Sequence, residues 1–139
     1  MGYHTFTSIR VHLIFGTDNL IREDIQPQLW AYMAGIAKNV GAILYAVNGA
    51  RDHAHVFVGV PANVTISEIV QKIKANSSRW LHEQCDMPAF AWQEGFGAFS
   101  VSISHTDRTI EYIKNQPEHH KRLGYGEELA RIMSRHEFS

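Results

Sequence analysis

The chain holds a single cysteine, Cys85, so no disulfide can form within it, and a lone thiol suits a reducing cytosol. It has no apolar run long enough to cross a membrane. The first residues, Met1-Gly2-Tyr3-His4-Thr5-Phe6, lack the basic start and apolar core of a signal peptide, and position 6 is not the Ser or Thr that myristoylation requires. Charge is scarce and balanced: 13 Lys and Arg against 14 Asp and Glu give a net charge of -1 with His neutral. No basic tail advertises a polyanionic partner, although local Lys and Arg can still bind phosphate. There is no P-loop, so no nucleotide cofactor is expected, and there is no repeat, low-complexity tract or linker. These absences leave one soluble, cytoplasmic domain over residues 1–139, whose 45% apolar content supports a core and excludes disorder.

Against this plain background, nine histidines stand out. Two of them form His53-Ala54-His55 within Arg51-Asp52-His53-Ala54-His55-Val56-Phe57-Val58. Side chains alternate along a strand, so both imidazoles project from one face, and Ala54, Val56, Val58 and Val60 project from the other. Two neutral imidazoles on one rigid strand can chelate a metal. Further on, Tyr112 and Gln116 are one helical turn apart in Thr109-Ile110-Glu111-Tyr112-Ile113-Lys114-Asn115-Gln116. A metal-binding pair with an oxygen nucleophile suggests chemistry on a phosphate ester.

The periodicity predicts a strand over 5–15, with Thr7, Ile9, Val11, Leu13 and Phe15 on one face and Ser8, Arg10 and His12 on the other. A helix follows from near Pro27, apolar at Leu29, Tyr32, Met33, Ile36, Ala37 and Val40 and stopped by Gly41. A strand over 42–48 and the His-Ala-His strand read as a hairpin across Gly49-Ala50-Arg51-Asp52. Thr65-Ile66-Ser67-Glu68 is a capping box opening a second helix. An aromatic connection over 85–98, a strand over 99–104, a short helix over 107–116 ended by Pro117 and a last helix over 127–136 complete the chain. The order βαββαβ predicts an α+β, ferredoxin-like split βαβ fold. Its four-stranded antiparallel sheet would carry helices on one face, with additional C-terminal helices. The other face would be polar, bearing Arg10, His12, His53, His55, Ser100 and Ser102, and three histidines are unusual for a merely solvated face.

Taken together, His12-Leu13-Ile14-Phe15, residues 51–56, Lys74-Ala75-Asn76-Ser77-Ser78-Arg79-Trp80, Trp92-Gln93-Glu94-Gly95-Phe96-Gly97 and residues 112–116 resemble the single-tyrosine HUH transposases of insertion sequences and their repeat-associated relatives. The resemblance covers most of the chain. It implies an enzyme that cleaves and rejoins single-stranded DNA with hairpin ends through a 5′-phosphotyrosine, leaving a 3′-hydroxyl. Carried over by motif, it makes His53 and His55 metal ligands, Tyr112 the nucleophile and Gln116 a further residue holding the metal. It also suggests a homodimer in which the tyrosine-bearing helix can serve the partner's histidines.

The chemistry agrees: a metal acts as a Lewis acid on a phosphodiester, and tyrosine is an established covalent nucleophile. Mixed nitrogen and oxygen ligands suit Mg²⁺ or Mn²⁺. Arg10 and, on the second helix, Lys72, Lys74, Asn76 and Arg79 are candidate phosphate contacts. Trp92 is expected to pack under the connection, and His119 and His120 to lie at the surface. Two rivals stay open: a catalytically silent nucleic-acid-binding module on the same fold, and a hydrolytic metalloenzyme, which would need a third strong protein ligand.

Overall fold

A computed structural model of the chain describes residues 5–116 and 124–137. Pro117, His119 and His120 lie outside the described residues. The elements are β1 (Arg10–Gly16), α1 (Gln26–Asn39), β2 (Ile43–Gly49), β3 (His53–Gly59), α2 (Ile66–Gln84), β4 (Gly97–Ser100), α3 (Thr106–Lys114) and α4 (Tyr125–Glu137). The four strands form one antiparallel sheet in the order β2-β3-β1-β4, the α+β split βαβ arrangement expected. No described helix is long and apolar enough to cross a membrane.

Local signals act where the sequence places them. Pro27 sits in the first turn of α1, where its missing N–H is harmless, and Gly41 follows the helix at φ 92°. The Thr65 hydroxyl accepts from the backbone N–H of Glu68 at 3.0 Å, capping α2. Two strands are shorter than their alternation suggests. Arg10 pairs with Gly59, the last residue of β3, and after the bond from Val60 N to Ile9 O comes Pro61, which cannot donate. Residues 5–9 therefore have no further ladder to join. At the other edge, the bond from Val101 N to Arg10 O is the last, and Ile103–His105 turns into a 3₁₀ helix.

Alternation then sorts the sheet. Val11, Leu13, Phe15, Ala54, Val56 and Val58 point to one side and pack with Leu29, Met33, Ile36, Ile69 and Ile73 of α1 and α2. The opposite side is not open to water: all seven residues of β3 are buried, because α3 and α4 cover the histidine-bearing face. Two glycines let them approach. A Cβ on Gly16 would overlap the Tyr125 ring of α4, and one on Gly97 would stand 2.8 Å from Ile14 Cγ2 and 3.0 Å from Leu129 Cδ1. Asn48 of β2 adds a polar tie, donating from Nδ2 to the carbonyl of Lys114 at the end of α3 at 3.1 Å.

Candidate active site

Four elements converge on the covered face. β3 presents His53 and His55, β1 presents His12, α3 presents Tyr112 with Gln116 just beyond its C-terminal end, and α4 presents Glu128. His12 faces Phe57 in the register while His55 faces Ile14, so the two imidazoles are diagonal cross-strand neighbours. Their rings lie 4.9 Å apart, and those of His53 and His55 lie 5.1 Å apart. His53, His55 and Gln116 have no exposed surface and Glu128 has 1%, so every charge here acts with little screening by water.

A hydrogen bond places a hydrogen on one nitrogen of His53. Its Nδ1 lies 2.7 Å from Asp52 Oδ1, and a carboxylate only accepts, so Nδ1 carries the hydrogen. The second Asp52 oxygen accepts the backbone N–H of Tyr125 at 2.9 Å, which joins the β2–β3 turn to the start of α4. In the neutral ring this tautomer leaves Nε2 without a hydrogen, 3.2 Å from Gln116 Oε1. The orientation of that amide is fixed from its other end, where Nε2 donates to Glu128 Oε1 at 3.1 Å. In that tautomer two acceptors face one another, an arrangement that a cation between them would reconcile, and the Asp52–His53 pair is the usual outer support of a metal-bound imidazole.

His55 repeats the pattern. Its Nδ1 lies 2.7 Å from His12 Nε2, and one hydrogen is shared across that gap. When His55 donates it, His55 Nε2 is unprotonated and faces Glu128 Oε1 at 3.7 Å, too long for a hydrogen bond. One ligand atom each from His53, His55 and Glu128 lies within 4.8 Å of the others. Glu128 Oε2 is buried and has no hydrogen-bond partner among the described residues. A buried carboxylate with an unsatisfied oxygen beside two imidazoles is costly unless a cation accompanies it, so the residues fit a divalent ion. Nitrogen, amide oxygen and carboxylate oxygen together suit Mg²⁺ or Mn²⁺.

Tyr112 completes the cluster. Its hydroxyl donates to Glu128 Oε1, and its ring stands edge-on to those of His12 and His55 at 6.3 and 6.0 Å between centroids. Burial, then the hydrogen bond and charge of Glu128, push the phenol well above its ordinary range, while Arg131 and Arg135 pull the other way. The hydroxyl is therefore a neutral phenol at physiological pH, already directed at a proton acceptor.

The structure brings His53, His55, Tyr112 and Gln116 together. It does not bring Lys72, Lys74, Asn76 or Arg79 to them, because α2 buries Ile69, Ile73 and Leu81 on the other side of the sheet. The Lys74 ammonium is committed to the carbonyls of Gln93 (2.9 Å) and Gly95 in the connection. Arg79 bonds Asn76 Oδ1, and Asn76 in turn bonds the carbonyl of Lys72. Arg10 shares the histidine face of β1 but lies over the Tyr45 ring and donates to Ser8. Trp92 packs edge-on against Phe15 and Phe90 and donates to Ser77 Oγ at 3.0 Å.

Glu128 is the residue that sequence reasoning missed, and its carboxylate is placed to serve as the third strong ligand that had no candidate. One signal was present. Glu128 stands four residues before Ile132 on an amphipathic helix, which places an acid in line with the buried stripe.

The profile of the family described as "Transposase IS200 like" matches residues 5–116. Two solved structures share the fold. A candidate transposase from Deinococcus radiodurans R1 is 21% identical at a TM-score of 0.62, over 81% of this chain and 93% of that one. A REP-associated tyrosine transposase bound to a REP hairpin is 15% identical at a TM-score of 0.63, over 85% of this chain and 72% of that one. No curated protein matches the chain.

Proposed function

Because the chain belongs to the IS200-like transposase family, we propose that it cuts and rejoins single-stranded DNA with hairpin ends through a covalent bond to Tyr112, assisted by a divalent metal. The observation that carries this reading is the meeting of Tyr112 and Gln116 with His53 and His55 around one buried carboxylate, Glu128.

In the proposed first step the Tyr112 oxygen attacks the scissile phosphorus. The new bond joins the phenolic oxygen to phosphorus, the bond from phosphorus to the 3′ oxygen breaks, and a 5′-phosphotyrosine and a 3′-hydroxyl result. The phenolic proton leaves toward Glu128 Oε1, its present hydrogen-bond acceptor, and the departing 3′ oxygen takes up one proton, so the step balances. The phosphotyrosine is itself a diester, so a second 3′-hydroxyl can reverse the reaction with no outside energy source. Mg²⁺ or Mn²⁺, held by His53 and His55 with Gln116 and Glu128, would polarise a phosphate oxygen. With Asp52 and His12 accepting the Nδ1 hydrogens of His53 and His55, both imidazoles would present Nε2 to the metal.

We assign Arg10, Lys72 and Arg79 to outlying phosphate contacts. Excision handles two strand ends at once, which a homodimer supplies by symmetry. The deciding experiment incubates the protein with end-labelled single-stranded DNA and Mn²⁺ and looks for a denaturation-resistant adduct. Wild-type protein is expected to form it and Tyr112→Phe to lack it while still binding DNA. Binding with no wild-type adduct would identify a silent module, and an adduct undiminished in Tyr112→Phe would remove the tyrosine from the mechanism.

A further inference from the structure

Beside Tyr112, on the side away from α2, a cavity of about 670 Å³ opens between β4, α3 and α4. It is lined by His12 and Tyr112 at its inner end and by Ser100, Ser102, His105, Arg108, Thr109 and Arg135 along its walls, with Val101 and Ile132 as apolar floor. No carboxylate among the described residues lines it. Neither Arg108 nor Arg135 forms an ion pair among the described residues, although the chain carries as many acids as bases. Two guanidiniums without an ion pair among the described residues, in a cavity that reaches the tyrosine, indicate a partner that brings its own negative charge.

The geometry points to this cavity as the seat of the single strand next to the scissile bond, with Arg108 and Arg135 gripping the phosphates that flank the reacting one. The assignment rests on the reading of the site as a DNA strand transferase. Arg108 precedes Tyr112 by four residues, so both stand on one face of α3, separated by about 6 Å along the axis. Arg135 follows Glu128 by seven residues and Ile132 by three, again on one face, two turns from the carboxylate and about 10 Å along α4. The two helices that deliver the nucleophile and the carboxylate thus each carry a guanidinium onward into the same cavity. Guanidinium forks match phosphate oxygens in pairs, while Ser100, Ser102 and Thr109 offer hydroxyls to sugar or phosphate. The apolar floor can take the face of a sugar or base. The exposed phosphate surface that α2 offers lies across the sheet, so the strand entering the site would be read by α3 and α4.

The test compares wild-type protein, Arg108→Ala/Arg135→Ala, Arg108→Lys/Arg135→Lys and the exposed control Lys38→Ala, each also carrying Tyr112→Phe for equilibrium binding. The probe is a fluorescein-labelled, mixed-sequence single-stranded DNA oligonucleotide, titrated at several salt concentrations, with thermal melts as a folding check. The double alanine variant should bind about tenfold more weakly and lose about 1.4 from the slope of log K against log salt, the value for two single-strand phosphate contacts. The double lysine variant should keep most of the slope but regain only part of the affinity, and Lys38→Ala should change neither. Adduct formation in the Tyr112-containing proteins supplies the second axis. If wild-type protein forms the adduct and the double alanine variant matches it in affinity, slope and rate, the cavity assignment is wrong and the function stands. If the double alanine variant loses affinity and slope but no wild-type protein forms an adduct, the cavity assignment stands and the covalent chemistry falls. If wild-type protein neither binds nor cuts the strand, both fall.

Discussion

The hydroxyl of Tyr112 on α3 donates to a carboxylate oxygen of Glu128 on α4, sixteen residues away, and Gln116 donates to that same oxygen. One carboxylate thereby fixes Tyr112 on α3 and Gln116 just beyond it, the two side chains of this segment that matter most to the proposed reaction. The other carboxylate oxygen is buried, with no hydrogen bond from the described residues.

If that second oxygen is a ligand, Mn²⁺ should raise the melting midpoint of the wild-type protein, because an ion bound only by the folded state stabilises it by mass action. Glu128→Gln, His53→Ala and His55→Ala should each lose most of the rise, with Mn²⁺ affinity by calorimetry down about tenfold or more. Without metal, Glu128→Gln should melt no lower than wild type, since it removes a buried charge that lacks full compensation. Wild-type Mn²⁺ affinity in Glu128→Gln would exclude the carboxylate from the metal site.

Tyr112 also predicts an alkaline signature. Its pKa is raised in the fold above the ordinary 10.0, by burial first and by Glu128 second. Above about pH 10 the unfolded chain therefore loses this proton while the folded chain retains it, and stability falls as pH rises. Below about pH 10 the contribution is present in full. Urea midpoints measured on both sides of about pH 10 should show a steeper alkaline decline for wild type than for Tyr112→Phe. Part of the decline should survive in the variant, because burial raises Tyr125 as well. Parallel profiles would mean that Tyr112 is not held as described.

Gly16→Ala tests how closely α4 must sit. The added methyl would overlap the Tyr125 ring, so the helix start must shift or the ring must turn out. A loss of about 1–3 kcal/mol in unfolding free energy is expected, with a matching fall in Mn²⁺ affinity as Glu128 is displaced. An unchanged melt would show that the contact yields easily.

All components of the site occur on one chain, with Tyr112 beside its own His55. Mixing Tyr112→Phe with His53→Ala protein, with subunit exchange demonstrated by differently tagged copies, is accordingly expected to give no adduct. Recovery of activity would place each tyrosine in the partner's site, the composite arrangement that the resemblance allows.

Much of this was legible in short stretches of sequence. The period of two assigned His53 and His55 to one face, Thr65 announced its helix, and the spacing of Tyr112 and Gln116 brought both to the same carboxylate, although α3 ends before Gln116. Errors came where an element's extent depends on a neighbour. Residues 5–9 and 101–104 alternate well enough, yet the ladder ends with Arg10 and its partners, and alternation says nothing about partners. Glu128 was illegible for a related reason. It reaches the histidines across 73 residues of chain from His55, and only the docking of α4 on the sheet selects it over the adjacent, exposed Glu127.

The complete burial of β3 has a kinetic meaning. A strand paired on both edges and covered on both faces exchanges its amide hydrogens only when the whole domain opens. His53 and His55 therefore ride on the slowest-opening segment. Tyr112 and Glu128 arrive on helices laid over it from outside the central βαββαβ unit, and such helices can loosen at lower free energy. The scaffold thus separates a half of the site anchored in the sheet from a half carried on helices that can loosen and settle again without disturbing the first.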